Sequence, residues 1–144
     1  MTASTLIHLI TETYPKLLQI HEADSVKPLA PGKWSRKQLL GHLIDSASNN
    51  HQRFVRVQVA DGLSMPSYGQ QQWIRSQHYQ DEPWLELLAF WRSYNLHLTH
   101  VIAHIPEETL NNRVTVGDDE PTTLRFLVED YDRHLKHHLE QILS

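Results

Sequence analysis

Apolar residues recur at helical spacing in four long stretches of this chain of 144 residues. Over 5–22, Leu6, Ile7, Ile10, Tyr14, Leu17 and His21 share one helix face. Pro15 falls inside that stretch and predicts a kink or a break after Tyr14. A second helix is announced by Ser35 with Gln38 three residues on, a capping box. It should run from about residue 36 to 59 or 60, where Asp61-Gly62 supplies a stop. Its core line is Leu39, Leu43, Ala47, Asn50 and Phe54. Beside it, His42, Asp45, Asn49 and Arg53 form one polar ridge. Periodicity alone reads that ridge as a solvated face, since His42 stands about 100° from Leu43 on the wheel.

The third stretch, 83–105, carries Trp84, Leu87, Leu88, Trp91, Tyr94, Leu98, Ile102 and Ile105 on one face. Asp81 is its candidate cap, and Pro83 suits a first turn. His97, His100 and His104 fall on the opposite side, which reads as solvated. The fourth helix opens at Pro121-Thr122-Thr123, with a Thr as cap. Its apolar line is Leu124, Leu127, Val128, Tyr131, Leu135 and Ile142. Between these helices, 23–34 is a Pro/Gly connector. The segment 62–82 is long and aromatic, with Tyr68, Trp73 and Tyr79 and a short helix expected around 71–77. Its aromatics either wall a pocket or seal one end of the core. Within 106–121, Arg113–Val116 reads as a small strand or an extended arm. The expected architecture is all-α: one domain, 1–144, forming an antiparallel four-helix bundle with long connections after the second and third helices.

Composition narrows the chemistry. No cysteine is present, which leaves no disulfide, thiolate ligand or cysteine nucleophile, so a metal would be held by His, Asp, Glu and water. A formal charge of -4 without a basic stripe argues against nucleic acid as a partner. No apolar run reaches membrane-spanning length, and the N-terminus does not read as a signal peptide, so the cytoplasm is the default location. Phosphate loops, dinucleotide fingerprints and nucleophile elbows are missing, and no carboxylate pair stands out, so no catalytic residue is assigned.

The fourth helix does carry candidate chemistry. His134 and His138 are four residues apart and stack on one face, from which both imidazoles can reach one metal ion. On the wheel His138 falls inside the apolar line and His134 at its edge, while His137 falls outside. The same placement suits two hydrogen-bonded core histidines, and the spacing does not choose between these readings.

Trp34-Ser35 leading into Gly41-His42-Leu43-Ile44-Asp45, followed far downstream by His134 to His138 and Leu139-Glu140-Gln141-Ile142, resembles the DinB/YfiT-like superfamily. The resemblance covers nearly the whole chain. It implies a four-helix bundle in which three histidines bind a divalent metal, at the positions of His42, His134 and His138. It also implies a metal-dependent hydrolase or a transferase using a low-molecular-weight thiol such as bacillithiol or mycothiol, with a small-molecule substrate and a homodimeric assembly. It places His42 inside the bundle, against the wheel. Asp45 and Asn49 are then candidates for substrate contacts or for supporting the ligands. Asp130 and Gln141 are candidates for orienting a ligand imidazole. Zn, Ni, Fe, Co and Mn all suit three histidines to some degree. The alternatives are a non-catalytic metal-binding or stress-associated interaction bundle, and an ordinary bundle whose inward histidines are only hydrogen-bonded.

Overall fold

The computed structural model describes residues 2–144. Four long helices, α1 (Thr2–Leu18), α3 (Arg36–Val59), α5 (Trp84–Ala103) and α6 (Leu124–Leu143), form the bundle. Two short helices, α2 (Glu22–Ser25) and α4 (Gln70–Gln77), lie in the connections. Three short strands, β1 (Leu63–Met65), β2 (Arg113–Val116) and β3 (Thr122–Thr123), make a small sheet in which β2 is central, parallel to β1 and antiparallel to β3. The sheet sits at the far end of α3, where Asn112 Nδ2 donates to the Val57 carbonyl. No helix of the described residues is long and apolar enough to cross a membrane.

Both α1 and α3 pack against α5 and α6. Trp84 Nε1, at the start of α5, donates to the carbonyl of Leu17 at the end of α1, so these two neighbours are antiparallel. Arg36, at the start of α3, donates to the carbonyls of Ile142 and Ser144 at the end of α6, so that pair is antiparallel too. Glu22 joins Lys37 near the start of α3 to the Trp84 amide at the start of α5, and His51 meets Tyr94 farther along both, so α3 and α5 run side by side in the same sense. That relation explains the length of the 60–83 connection. The chain leaves the bottom of α3 and must climb back along its outside before α5 can begin, and β1, α4 and the 3-10 turn Tyr79–Asp81 are that climb.

The capping box of α3 is present, with Ser35 Oγ accepting from Gln38 N–H and Gln38 Oε1 accepting from Ser35 N–H. Thr123 caps α6 through the Phe126 amide. Arg113–Val116 is a strand, and the helix expected at 71–77 forms one residue earlier.

Five expectations are corrected. First, α1 runs through Pro15 without a break after Tyr14, so of the two expected effects the break does not occur. Pro15 and Thr11 both lie on the exposed side, so the carbonyl that loses its amide partner is open to water. Second, the buried face of α1 is Ala3, Leu6, Ile10, Thr13 and Leu17, leaving Ile7 and His21 exposed and Tyr14 half-buried.

Third, Asp81 does not cap α5. The first amide of that helix, Trp84 N–H, donates to Glu22 Oε2 at 2.8 Å. The other oxygen of Glu22 pairs with the buried Lys37 at 2.8 Å. One carboxylate on α2 thus ties together the starts of α3 and α5. Fourth, the polar ridge of α3 is not a solvated face. His42, Asp45 and Arg53 are buried and Asn49 is half-buried. The climbing segment lies over that side of the helix, so residues 39 to 47 of α3 are buried on every side. Fifth, on α5 the buried face includes Asn95 and Thr99 in place of Tyr94 and Ile102, and Asn95 Oδ1 accepts a hydrogen bond from the buried hydroxyl of Tyr131. His97, His100 and His104 are exposed, as their periodicity predicts.

Candidate metal centre

His42 sits in the second turn of α3, and His134 and His138 lie one turn apart near the end of α6. Because α3 and α6 run antiparallel, the start of one meets the end of the other. The Arg36 guanidinium locks the register, reaching the carbonyl of Ile142 at 2.8 Å and that of Ser144 at 3.0 Å. The three imidazoles then converge. His134 Nε2 is 3.2 Å from His42 Nε2 and 3.1 Å from His138 Nε2. One ligand atom from each histidine lies within 4.8 Å of the others.

Hydrogen bonding alone does not account for this cluster. In a neutral imidazole each ring nitrogen is either one donor or one acceptor. His134 Nε2 has two nitrogen neighbours at bonding distance, so a single proton can satisfy only one contact. A cation among the three lone pairs satisfies both. At metal–nitrogen bonds of about 2.0–2.1 Å, tetrahedral geometry puts two ligand nitrogens about 3.3 Å apart, close to the observed separations. The donor set therefore fits a divalent ion.

The electrostatics agree. Burial, and then the neighbouring imidazoles, push the His42 pKa from 6.5 down to about 3. His134 is pushed to about 4, again first by burial and then by His138. Burial also lowers His138. All three are neutral at pH 7, as ligands must be. A stability consequence follows for the metal-free protein. The unfolded chain binds protons at His42 and His134 near pH 6.5 and the folded chain only near 3 and 4, with His138 shifted the same way, so folding is favoured above 6.5 and loses stability as pH falls. The slope is about 1.4 kcal/mol per pH unit for each excess proton on the unfolded chain. Urea midpoints should be level above pH 7 and drop steeply toward pH 4, and the drop should be shallower in His42→Gln.

The other predicted residues take distinct places. Gln141 Oε1 accepts from His138 Nδ1 at 2.6 Å, which fixes the proton on Nδ1 and leaves Nε2 bare toward the cluster. Asp130 is exposed and pairs with Arg133, but its charge still acts on His134. Asp45 Oδ1 accepts from Tyr79 Oη at 2.6 Å and Gln77 Nε2 at 2.8 Å. Its other oxygen is buried without a partner, and burial raises its pKa. Asn49 donates to the Asp45 carbonyl and lines a separate cavity with Arg53 and Arg56. Sequence reasoning missed Trp34, whose ring lies 5.2 Å from that of His42, and the Tyr79–Gln77 pair.

Space is available on both sides of the cluster. A groove of about 600 Å³ runs between Leu29, Trp34, Gln71, His138 and Gln141. A pocket of about 170 Å³ reaches His134 from the other side, between Ser46, Arg53, Tyr68 and Tyr131.

The chain superposes on YfiT from Bacillus subtilis, described as a probable metal-dependent hydrolase with an unusual four-helix bundle topology. The TM-score is 0.84 at 21% identity, covering 97% of this chain and 83% of that one. A mycothiol-dependent maleylpyruvate isomerase gives a TM-score of 0.78 at 12% identity, covering 96% of this chain but only 57% of that longer one. No curated protein matches the sequence. The family model of the DinB superfamily matches residues 7–142, the span that holds the three histidines and both helices that carry them, and the chain belongs to that superfamily.

Proposed function

We propose that this protein is a divalent-metal-dependent enzyme with an open three-histidine site, acting as a hydrolase or a low-molecular-weight-thiol S-transferase on a small molecule. The observation that carries this reading is the convergence of His42, His134 and His138 Nε2 atoms, with one nitrogen contacting two others. Three neutral imidazoles leave coordination positions open, where a divalent ion supplies Lewis acidity toward a water or a thiol. The chain's own residues hold the ligands in place: Gln141 sets the His138 tautomer, Arg36 the helix register, and Trp34 covers His42. Support for the two chemistries comes from the two structural neighbours, one described as metal-dependent and one as mycothiol-dependent. A cytoplasmic homodimer belongs to the same reading, and light scattering tests the assembly.

The deciding measurement is metal content by mass spectrometry on untagged protein, followed by hydrolysis and thiol-transfer screens with the metal found. Near one equivalent is expected in wild type and almost none in His42→Ala or His138→Ala, with helical circular dichroism retained. Wild type that holds no metal, and takes none up on dialysis against Zn, Ni or Mn, would leave a non-catalytic bundle instead.

A further inference from the structure

Arg53 is buried, 9% exposed, about two turns before the end of α3, and no carboxylate pairs with it at contact distance among the described residues. A guanidinium carries five N–H donors. Here one contact is made, to the carbonyl of Pro66 at 3.2 Å. The ion pairs among the described residues all leave Arg53 out. Burial lowers its pKa, and Tyr68 and Asp119 offset that only through space. A largely buried cation without an ion-pair partner is costly unless its remaining donors reach water or a ligand, and no Arg53 nitrogen is among the buried polar atoms left without a partner.

Arg53 lies between two cavities, the one it shares with Asn49 and Arg56 and a pocket of about 170 Å³ that His134 also lines. Ser46, Asn50, Tyr68 and Gln70 add neutral polar lining, and the one carboxylate on the wall, Asp130, is paired with Arg133 at 3.1 Å. At roughly 30 Å³ of liquid volume per water, the pocket holds five or six waters, room for a short acid arm and little more. We infer that Arg53 is the anchor for a carboxylate on the substrate, received in this pocket so that the rest of the molecule is presented to the histidine cluster. The planar guanidinium fork matches a carboxylate with two parallel bonds. The substrate class is thus a small carboxylic acid, or a conjugate with a carboxylate-bearing arm of a few carbons. The assignment of this pocket as a substrate subsite rests on the metal-enzyme reading above.

Succinate is the probe, titrated by calorimetry into metal-free and zinc-loaded protein, with the uncharged succinamide and inorganic phosphate alongside. Succinate should bind both forms and succinamide neither. Arg53→Gln should weaken succinate by at least about tenfold, the lower end for a charge-assisted bond. Arg56→Gln, which faces only the separate cavity, should leave affinity unchanged. If Arg53→Gln does not keep its helical circular dichroism, Arg53→Lys replaces it, and a loss of affinity is expected because lysine has no fork. No succinate binding, equal binding to the Arg53 variants, equal binding of succinamide, or tighter binding of phosphate would each overturn the inference. If zinc is not taken up but succinate still binds metal-free protein through Arg53, the anion site stands and the metal reading falls.

Discussion

Zinc added to the metal-free protein at about a hundredfold excess over its dissociation constant is expected to stabilise the fold by about 2.7 kcal/mol. For a chain of this size that is a rise in thermal midpoint of about 5–10 °C. His42→Ala and His138→Ala should show no rise, whatever their own midpoints. The sign follows from the placement of the ligands. His42 is on α3 and the other two are on α6, ninety-two and ninety-six positions away in sequence, so only the folded chain presents all three at once. An ion held by them links the start of one helix to the end of its antiparallel neighbour. Comparing each variant with and without zinc separates this linkage from any cavity the substitution opens. A uniform shift across wild type and both variants would mean that zinc binds elsewhere, with the exposed histidines of α5 the first place to look. A rise confined to wild type would mark the cluster as the binding site.

How much of this site could be read from the sequence depended on the element. On α6 the apolar line and the spacing of His134 and His138 placed both rings toward the bundle, and they are there. On α3 the same reasoning failed. A wheel assumes that a helix has one wet side, and α3 has none over 39–47: Trp34 and the α6 histidines close over His42, Tyr79 and Gln77 over Asp45, and farther along Pro66 meets Arg53. Only the resemblance to a family put His42 inside. The length of the climbing segment was a hint, since a parallel neighbour requires a return path. The cap of α5 was illegible for a different reason. Local rules look a few residues upstream, whereas Glu22 reaches Trp84 across 62 positions. The burial of Arg53 without a contact ion pair was likewise a property of three-dimensional surroundings, invisible in a helix where arginine is ordinary.

One signal was present and informative: a glycine in the interior of a helix. Gly41→Ala should destabilise the protein by about 2–4 kcal/mol, although the same change in an exposed helix gains about 1 kcal/mol. A Cβ at residue 41 would stand 2.2 Å from Tyr79 Cδ2 and 2.5 Å from Cε2 and Cγ. The ring has nowhere easy to go. It is buried, and its hydroxyl is held by Asp45 Oδ1 at 2.6 Å. Moving it leaves Asp45, one turn beyond Gly41, short of a partner for a group already lacking one on Oδ2. Removing the ring should reverse the sign. In a Tyr79→Ala background the added methyl meets open space, and Gly41→Ala should be neutral or stabilising by up to about 1 kcal/mol. Urea unfolding of the four proteins closes this cycle, and a coupling near zero would show that the ring does not rest on Gly41 in solution. Tyr79→Phe separates the two parts, since it keeps the ring and the clash while removing the bond to Asp45. Gly41 adjoins His42, so the single variant should also bind zinc more weakly than wild type, with affinity recovering in the double variant as the strain on α3 is relieved.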